Sequence, residues 1–187
     1  MKIKLPTLKI DNLKIRTIKL RDSKYFFKIG SSYEVVKYLN WGPYKNKEDA
    51  VFDLKNHYFK KKKDDLPTGY SIISNKKCIG WIEFYNDLHI KNSIMLGFVL
   101  AKEEWDKGYM SKILDKVIDL CYNYLGYDKI IMITISSNLV ARHLAKKFGF
   151  MEIDKRDYQH FNSKIVISDK MITFIKVKTN LSKEEEK

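Results

Sequence analysis

The sequence predicts an α+β fold in one domain, residues 1–187, with its core at about 8–178 and a charged tail at 179–187. We expect a central mixed, mostly antiparallel sheet of about six to seven strands with one parallel pair, flanked by about four to five helices. Two observations predict this class. Short apolar runs separated by polar turns are typical of antiparallel strands. Later, a strand, an amphipathic helix and a wholly apolar strand follow one another, which is typical of a right-handed parallel crossover.

The first half of the chain predicts one strand and three helices. Leu8–Ile18 is assigned as the first strand because Leu13, Ile15 and Thr17 alternate with polar residues. Each helix is predicted by a polar capping residue ahead of an apolar stripe: Asp22 or Ser23 to Gly30, Ser31 or Ser32 to Leu39, and Asn46 with Asp49 through to Lys60–Lys63.

The second half predicts a hairpin around Asn75-Lys76, a crossover, a capped helix and two final strands. The crossover helix carries Met110, Ile113, Leu114 and Val117 at helical spacing and ends at Gly126. The predicted elements are strands at Tyr70–Ile73, Cys78–Phe84, Ile94–Leu100, Ile130–Ile135, Phe150–Tyr158 and Met171–Lys178, and a last helix between Asn138 and Gly149.

Composition places the chain in the globular class, with 44% hydrophobic and 32% charged residues. No apolar run is long enough to span a membrane, and the start has no secretory signal pattern. The two cysteines, Cys78 and Cys121, lie far apart and in no CxxC pair, which argues against a disulfide framework or a zinc site. We therefore expect a cytoplasmic protein with no bound metal and no membrane partner.

The net charge of +13 and the pI of about 9.5 suit an anionic ligand. Only four of the 36 basic residues are arginine, whereas nucleic-acid readers favour arginine for bidentate contacts. The lysine excess therefore favours a general compositional bias, and nucleic-acid binding is only a third reading.

The segment from Ile94 to Leu125 predicts an anion site. The strand Ile94–Leu100 leads through Lys107-Gly108-Tyr109 into the amphipathic helix. The first amides of a helix have no acceptor within it, and the helix dipole is positive at that end. A glycine turn ahead of such a helix lets an anion approach the backbone.

An ordered set of motifs resembles the GNAT acetyltransferases. The set comprises Gly97–Leu100, Trp105-x-Lys107-Gly108-Tyr109 at a helix start, Asn138, and Leu144–Phe150. Within the family it is similar to the branch of ribosomal-protein N-terminal acetyltransferases. Leu13-x-Ile15-Arg16, Tyr38–Pro43 and Arg156–Tyr158 match that branch too, so the likeness spans roughly Leu8 to Lys178.

The resemblance implies acetyl-CoA as co-substrate, held where a parallel strand pair splays apart. It implies a pantetheine arm along Phe98, Val99 and Leu100, and a pyrophosphate at the turn formed by Trp105, Lys107, Gly108, Tyr109, Met110, Ser111 and Lys112. Asn138 and Arg142 would flank the far arm, although Arg142 also suits a solvated helix position. Two residues depart from the family motif: Asp106 adds a negative charge, and Met110 either crowds the phosphate or turns into the core, while Lys107 and Lys112 offset Asp106.

The resemblance also implies a general base and an oxyanion donor. The usual base position is Met95 here, which cannot titrate, so Glu83 on the preceding strand is the candidate, against the alternative of a solvent-facing strand residue. Asp87 and His89 are substitutes. The amide of Phe98 or Val99 would polarise the thioester carbonyl.

The positions that supply the acid in relatives are Ala141 and Ala145, which cannot donate a proton. Tyr158 or a water would serve instead, or the thiolate leaves unassisted; Tyr158 also suits a packing role. Trp41, Tyr44 and Trp81 are candidates for the acceptor pocket, with Trp81 favoured as core.

The expected function is an acetyl-CoA-dependent N-acetyltransferase, a monomer or homodimer, that acts on a primary amine of a small molecule or a peptide or protein N-terminus. The alternative is a non-catalytic GNAT-like acyl-CoA-binding module, because Met95, Ala141 and Ala145 lack acid–base chemistry. The basic surface disfavours a polycationic acceptor, since like charges slow encounter.

Overall fold

The computed structural model describes residues 4–61, 67–86, 89–162 and 165–179. Its centre is an eight-stranded sheet in the order β1-β2-β3-β4-β5-β6-β8-β7. Every neighbouring pair is antiparallel except β5 and β6, which are parallel. The strands are β1 Leu8–Ile10, β2 Leu13–Thr17, β3 Gly69–Ser74, β4 Lys77–Asn86, β5 Ser93–Leu100, β6 Lys129–Ile135, β7 Met151–Asn162 and β8 Ile165–Val177. The predicted α+β class is confirmed, with more strands than expected.

The additional strand comes from a turn at the start of the chain. The prediction of one strand over Leu8–Ile18 was wrong, because the chain reverses at Asp11 and pairs Ile10 with Leu13. Asp11 adopts a φ of 49°, a left-handed conformation that aspartate tolerates in tight turns. The hairpin at Asn75-Lys76 is confirmed, and both of its turn residues have positive φ.

The helical segments are α1 Ser23–Gly30, α2 Tyr33–Val36, α3 Lys47–Asp53, α4 Phe59–Lys61, α5 Tyr109–Asp119 and α6 Leu139–Lys147. A π-helical turn, Leu54–Tyr58, joins α3 to α4, and another, Leu120–Tyr124, extends α5. The described chain therefore has five continuous helices. The capping box of Asn46 and Asp49 is confirmed, and Asn138 caps α6 through a hydrogen bond from the amide of Ala141.

The sheet separates two apolar cores. α5 and α6 pack on one face, where Ile82 and Phe84 of β4 are buried. α1 and α3 pack on the other face, where the Trp81 ring stacks on Phe26 with centroids 3.9 Å apart. Side chains alternate between faces along a strand, so Trp81, Glu83 and Tyr85 share the face covered by α1 and α3. We refer to this side as the α1 face.

The last two strands are longer than predicted. β8 lies between β6 and β7, which leaves β7 at the sheet edge. Among the described residues, no helix has the length and apolar character needed to cross a membrane.

Candidate active site

The parallel strands β5 and β6 separate part-way along their length. They pair only at Ser93 with Lys129, Ile94 with Ile130 and Met95 with Ile131. Beyond these pairs β5 continues to Leu100 and β6 to Ile135, with no further pairing between them. A wedge-shaped gap therefore opens toward the carboxyl ends of both strands.

Alternate amides of β5 point into this gap. The amide of Ala101 donates to the carbonyl of Ile79 at 2.8 Å, and the register with β4 continues without a bulge. Amides alternate in direction along a strand, so those of Gly97 and Val99 face β4, and those of Phe98 and Leu100 face the gap. Of the two predicted oxyanion donors, Phe98 has its N–H directed into the gap.

The predicted phosphate turn begins a helix with an exposed backbone. Gly108 is the N-cap of α5 with a φ of 71°, and the Lys112 amide makes the first helical hydrogen bond, to the Gly108 carbonyl at 3.3 Å. The amides of Tyr109, Met110 and Ser111 precede that bond and have no acceptor within the helix. A Cβ added at Gly108 would meet no atom within 4 Å, so the backbone is open to a ligand.

Side chains around the turn fix its shape. Met110, in the first turn of α5, is 8% exposed and packs in the apolar core. Of the two predicted alternatives, its side chain therefore turns into the core and does not crowd the phosphate turn. The Trp105 indole donates to the carbonyl of Leu100 at 2.9 Å, which ties the turn to the end of β5.

The two lysines of the turn are already paired with carboxylates. Lys107 bonds to Glu104 at 2.8 Å, and Lys112 bonds to Asp11 of the first hairpin. Lys147, at the end of α6, donates to the hydroxyl of Ser111 at 3.1 Å. Sequence reasoning did not identify Lys147 as a site residue, because only the tertiary contact of α6 with α5 brings it to the turn.

The turn between β6 and α6 carries Asn138 and Arg142. Arg142 is half-buried: one guanidinium nitrogen donates to the carbonyl of Ser136 at 2.9 Å, and its Nε is buried with no hydrogen-bond partner among the described residues. It is therefore not a simple solvated side chain. Asp169 of β8 braces the turn by accepting hydrogen bonds from Ser136 and Ser137, a contact that the sequence did not indicate.

These features fit the cofactor that the resemblance implies. The gap can receive an extended arm that pairs with the amides of Phe98 and Leu100. The open first turn of α5 suits a diphosphate, since its amides and the helix dipole favour an anion. The Arg142 guanidinium lies at the turn into α6, where one of its nitrogens donates to the carbonyl of Ser136.

Glu83 lies at the α1 face of the gap. It pairs with Gly97, and a Cβ added at Gly97 would lie 3.8 Å from the Glu83 Cβ. Glu83 is 5% exposed, so the alternative of a solvent-facing side chain is wrong. Its Oε1 accepts hydrogen bonds from the Trp81 indole at 2.7 Å and from the Tyr58 hydroxyl.

A second carboxylate and two tyrosines surround this position. Tyr44 donates to Asp53, which also lies 3.2 Å from Nε2 of His57. Burial, followed by the charge of Glu83, raises the pKa of Tyr58 well above its usual value. The pKa of Tyr44 is raised by burial and then by the Asp53 hydrogen bond. Both phenols therefore stay protonated and act as hydrogen-bond donors.

Aromatic rings line the same region. Trp41 stacks on Tyr44 with centroids 5.2 Å apart and on Trp81 at 6.0 Å. Trp41 and Tyr44 are half-buried, whereas Trp81 is fully buried, which confirms it as core. Tyr85 was not identified from the sequence, although its spacing of two from Glu83 indicates the same face. Its ring would lie 3.1 Å from a Cβ at Gly97.

The remaining candidates are dispersed. Tyr158 lies on edge strand β7, with β5, β6 and β8 between it and β4. Ala141 and Ala145 are buried in the core, and His89 is exposed after β4. Asp87 lies outside the described residues. Within the described ranges, no group of three or more His, Cys, Asp or Glu side chains could hold a metal.

Comparisons with known proteins agree with this geometry. A family model for the acetyltransferase (GNAT) domain matches residues 12–151. The chain is 24% identical over 148 residues to the uncharacterized N-acetyltransferase YoaA of Bacillus subtilis, covering 79% of this chain and 84% of that protein. It is 22% identical over 141 residues to spermidine N(1)-acetyltransferase of Vibrio cholerae, covering 75% and 79%.

Among solved structures, the fold is similar to RimL, a ribosomal L7/L12 alpha-N-protein acetyltransferase in complex with coenzyme A. The TM-score is 0.80 at 12% identity, over 92% of this chain and 98% of that one. At this identity the likeness concerns the fold.

Proposed function

The chain belongs to the GNAT acetyltransferase family, and from that premise we propose that it uses acetyl-CoA to acetylate a primary amine. The observation that carries the proposal is the gap between β5 and β6. The Phe98 amide points into the gap, and Glu83 is paired with Gly97 across β4 and β5. The Glu83 side chain lies on the α1 face, where its carboxylate accepts hydrogen bonds from Trp81 and Tyr58.

Acetyl-CoA supplies an acetyl thioester, the electrophile of the reaction. The strand residues Phe98, Val99 and Leu100 would hold its pantetheine arm, and the first turn of α5 its diphosphate. Trp105, Lys107, Gly108, Tyr109, Met110, Ser111 and Lys112 shape that turn, and Asn138 and Arg142 flank the far arm. The Phe98 amide would stabilise the negative charge that develops on the carbonyl oxygen.

Glu83 is proposed as the general base. An alkylamine is protonated near neutral pH and must lose a proton before its nitrogen can attack. Glu83 accepts that proton, directly or through a water. The hydrogen bonds from Trp81 and Tyr58 fix the orientation of the carboxylate. The C–N bond then forms as the C–S bond breaks.

The departing thiolate must take up a proton, and we propose two alternative donors, Tyr85 and Tyr158, of which Tyr158 lies on β7 with β6 and β8 between it and β5. Tyr85 is a candidate because its ring lies against Gly97. Phe substitutions at each position separate the two. The Phe substitution of the true donor should lower the turnover number. This decrease should be smaller with an acetyl donor whose leaving group is better than the thiolate of CoA.

The surroundings of Glu83 support an acceptor that carries positive charge in addition to the reacting amine. Glu83 and Asp53 supply negative charge, and Trp41 and Tyr44 present aromatic rings, which attract cations. This local environment opposes the net charge of +13, which acts at long range and is screened by salt. The similarity to spermidine N(1)-acetyltransferase supports a polyamine-like acceptor. The fold likeness to RimL is the reason to test a protein N-terminus as an alternative acceptor.

The test is an amine panel assayed by release of the CoA thiol. The panel contains a polyamine, a monoamine of similar length, an aminoglycoside, an amino acid and a peptide N-terminus. We expect turnover that falls about 100-fold or more in Glu83→Gln, with acetyl-CoA affinity unchanged by calorimetry. Absence of acetyl-CoA binding at millimolar concentration would refute the proposal.

A non-catalytic acyl-CoA-binding module is the second candidate function. It is favoured by Met95, Ala141 and Ala145, which cannot titrate and stand where the family resemblance implies acid–base residues. Tight acetyl-CoA binding without turnover of any panel amine would support it over the enzyme.

A further inference from the structure

The phosphate turn has little uncompensated positive charge of its own. Lys107 is paired with Glu104, and Lys112 with Asp11. Asp106 is exposed in the same turn and adds a further negative charge. A diphosphate that approached these side chains alone would meet carboxylates as well as ammonium groups, and like charges repel.

Lys147 differs from Lys107 and Lys112 in its surroundings. Its ammonium group contacts the Ser111 hydroxyl at 3.1 Å, inside the first turn of α5 whose amides lack helical acceptors. Within the part of the chain that the structure describes, Lys147 has no carboxylate partner. Its charge is therefore available at the position where the turn needs one.

We infer that Lys147 is the cation that binds the diphosphate of CoA, reaching it from α6 across the first turn of α5. The inference rests on the acetyl-CoA site of the proposed function and adds a residue to it. The ammonium would exchange the neutral Ser111 hydroxyl for a negatively charged diphosphate oxygen, since opposite charges on donor and acceptor add a Coulomb attraction to the hydrogen bond. Ser111 would then be free to donate its own hydroxyl to the same anion.

Lys146 provides a matched control. It is the adjacent lysine on the same helix and is exposed, and among the described residues its side chain makes no hydrogen bond or ion pair. Lys146→Gln removes the same charge from the molecule as Lys147→Gln. A difference between the two variants therefore reports position and not net charge.

The experiment measures dissociation constants of CoA and of 3′-dephospho-CoA by calorimetry at low and high salt. Lys147→Gln should weaken both ligands by about tenfold, Lys146→Gln by less than about twofold, and Lys147→Arg should retain most of the affinity. Because an ion pair is screened by salt, affinity should depend less on salt in Lys147→Gln than in the wild type.

Three results would overturn the inference. In the first, Lys147→Gln binds CoA as tightly as Lys146→Gln does. In the second, Lys147→Gln weakens the binding of CoA but not that of 3′-dephospho-CoA, which would assign the residue to the 3′-phosphate. In the third, affinity falls while the salt dependence stays that of the wild type, which indicates a structural role. Failure of the wild type to bind CoA would instead refute the proposed function itself.

Discussion

The Asp22 carboxylate is buried at the start of α1 and accepts several hydrogen bonds. It is 1% exposed and accepts two hydrogen bonds from Arg16, at 2.8 and 2.7 Å, one from Ser71 and one from the Lys19 amide. Burial by itself would raise the pKa of Asp22, but the hydrogen bonds from Arg16 and Ser71 lower it below its usual value. The ionised form is thus the one that the fold requires.

Asp22→Asn should destabilise the protein by about 3 to 5 kcal/mol, because it leaves the Arg16 charge without its partner. Urea unfolding measures the loss. The control is Asp157→Asn, whose carboxylate is exposed and pairs with Lys170; we expect a change of about 0 to 1 kcal/mol there. Equal losses in the two variants would contradict the role assigned to Asp22.

The same residue predicts a dependence on pH. A carboxyl whose folded pKa is lowered contributes stability above its unfolded pKa of about 3.9, and loses it as pH falls through the folded value. The difference in unfolding free energy between wild type and Asp22→Asn should therefore be constant near neutrality and shrink below about pH 4. A difference that grew on acidification would have the wrong sign for this account.

At the scale of elements, the candidate site depends on where strands and helices end. Strand β5 leaves β6 after Met95, α5 begins directly after its N-cap Gly108, and Asp169 fixes the turn into α6. Each junction exposes backbone amides or positions a side chain at the gap. Strand and helix ends are therefore where substitutions should alter binding more than stability.

Gly108→Val tests the helix start. Valine at a φ of 71° is strained, and its branched side chain would occupy the open space above the first turn, so acetyl-CoA affinity should fall at least about tenfold. Gly126→Val is the matched control, because Gly126 has a φ of 76° and equally open surroundings at the other end of this helix. It should show a similar loss of melting temperature with unchanged affinity. Equal affinities in the two variants would contradict the phosphate turn.

At the scale of the whole molecule, local patterns predicted most of the fold. The helix after Gly108, the hairpin at Asn75-Lys76 and the cap at Asn138 all depend on neighbours in sequence, and each is confirmed. The turn at Asp11 was missed because only two polar residues, Asp11 and Asn12, separate the two short strands, so the whole segment was taken as one strand. The final hairpin was predicted too short, because the apolar residues Ile165, Val166 and Ile167 are separated from the predicted strand at Met171 by the polar residues Ser168, Asp169 and Lys170.

The site was less predictable because its contacts join distant segments. Asp11 reaches Lys112, Tyr58 reaches Glu83, and Lys147 reaches Ser111 only after the sheet and its helices assemble. The sequence alone therefore identified Glu83 as a candidate base, but it left open that Glu83 is a solvent-facing strand residue. The burial of Glu83 excludes that alternative. It also treated Lys107 and Lys112 as available charges, although both are paired.

The central claim is that acetyl-CoA lies in the gap between β5 and β6. Amide NMR spectra of the protein titrated with acetyl-CoA test it most directly. The amides of Phe98, Leu100 and Tyr109–Ser111 should shift and become protected from solvent exchange, while those of Gly97 and Val99, which face β4, stay bonded as before. Saturation with acetyl-CoA that leaves Phe98, Leu100 and the first turn of α5 unchanged would contradict the account.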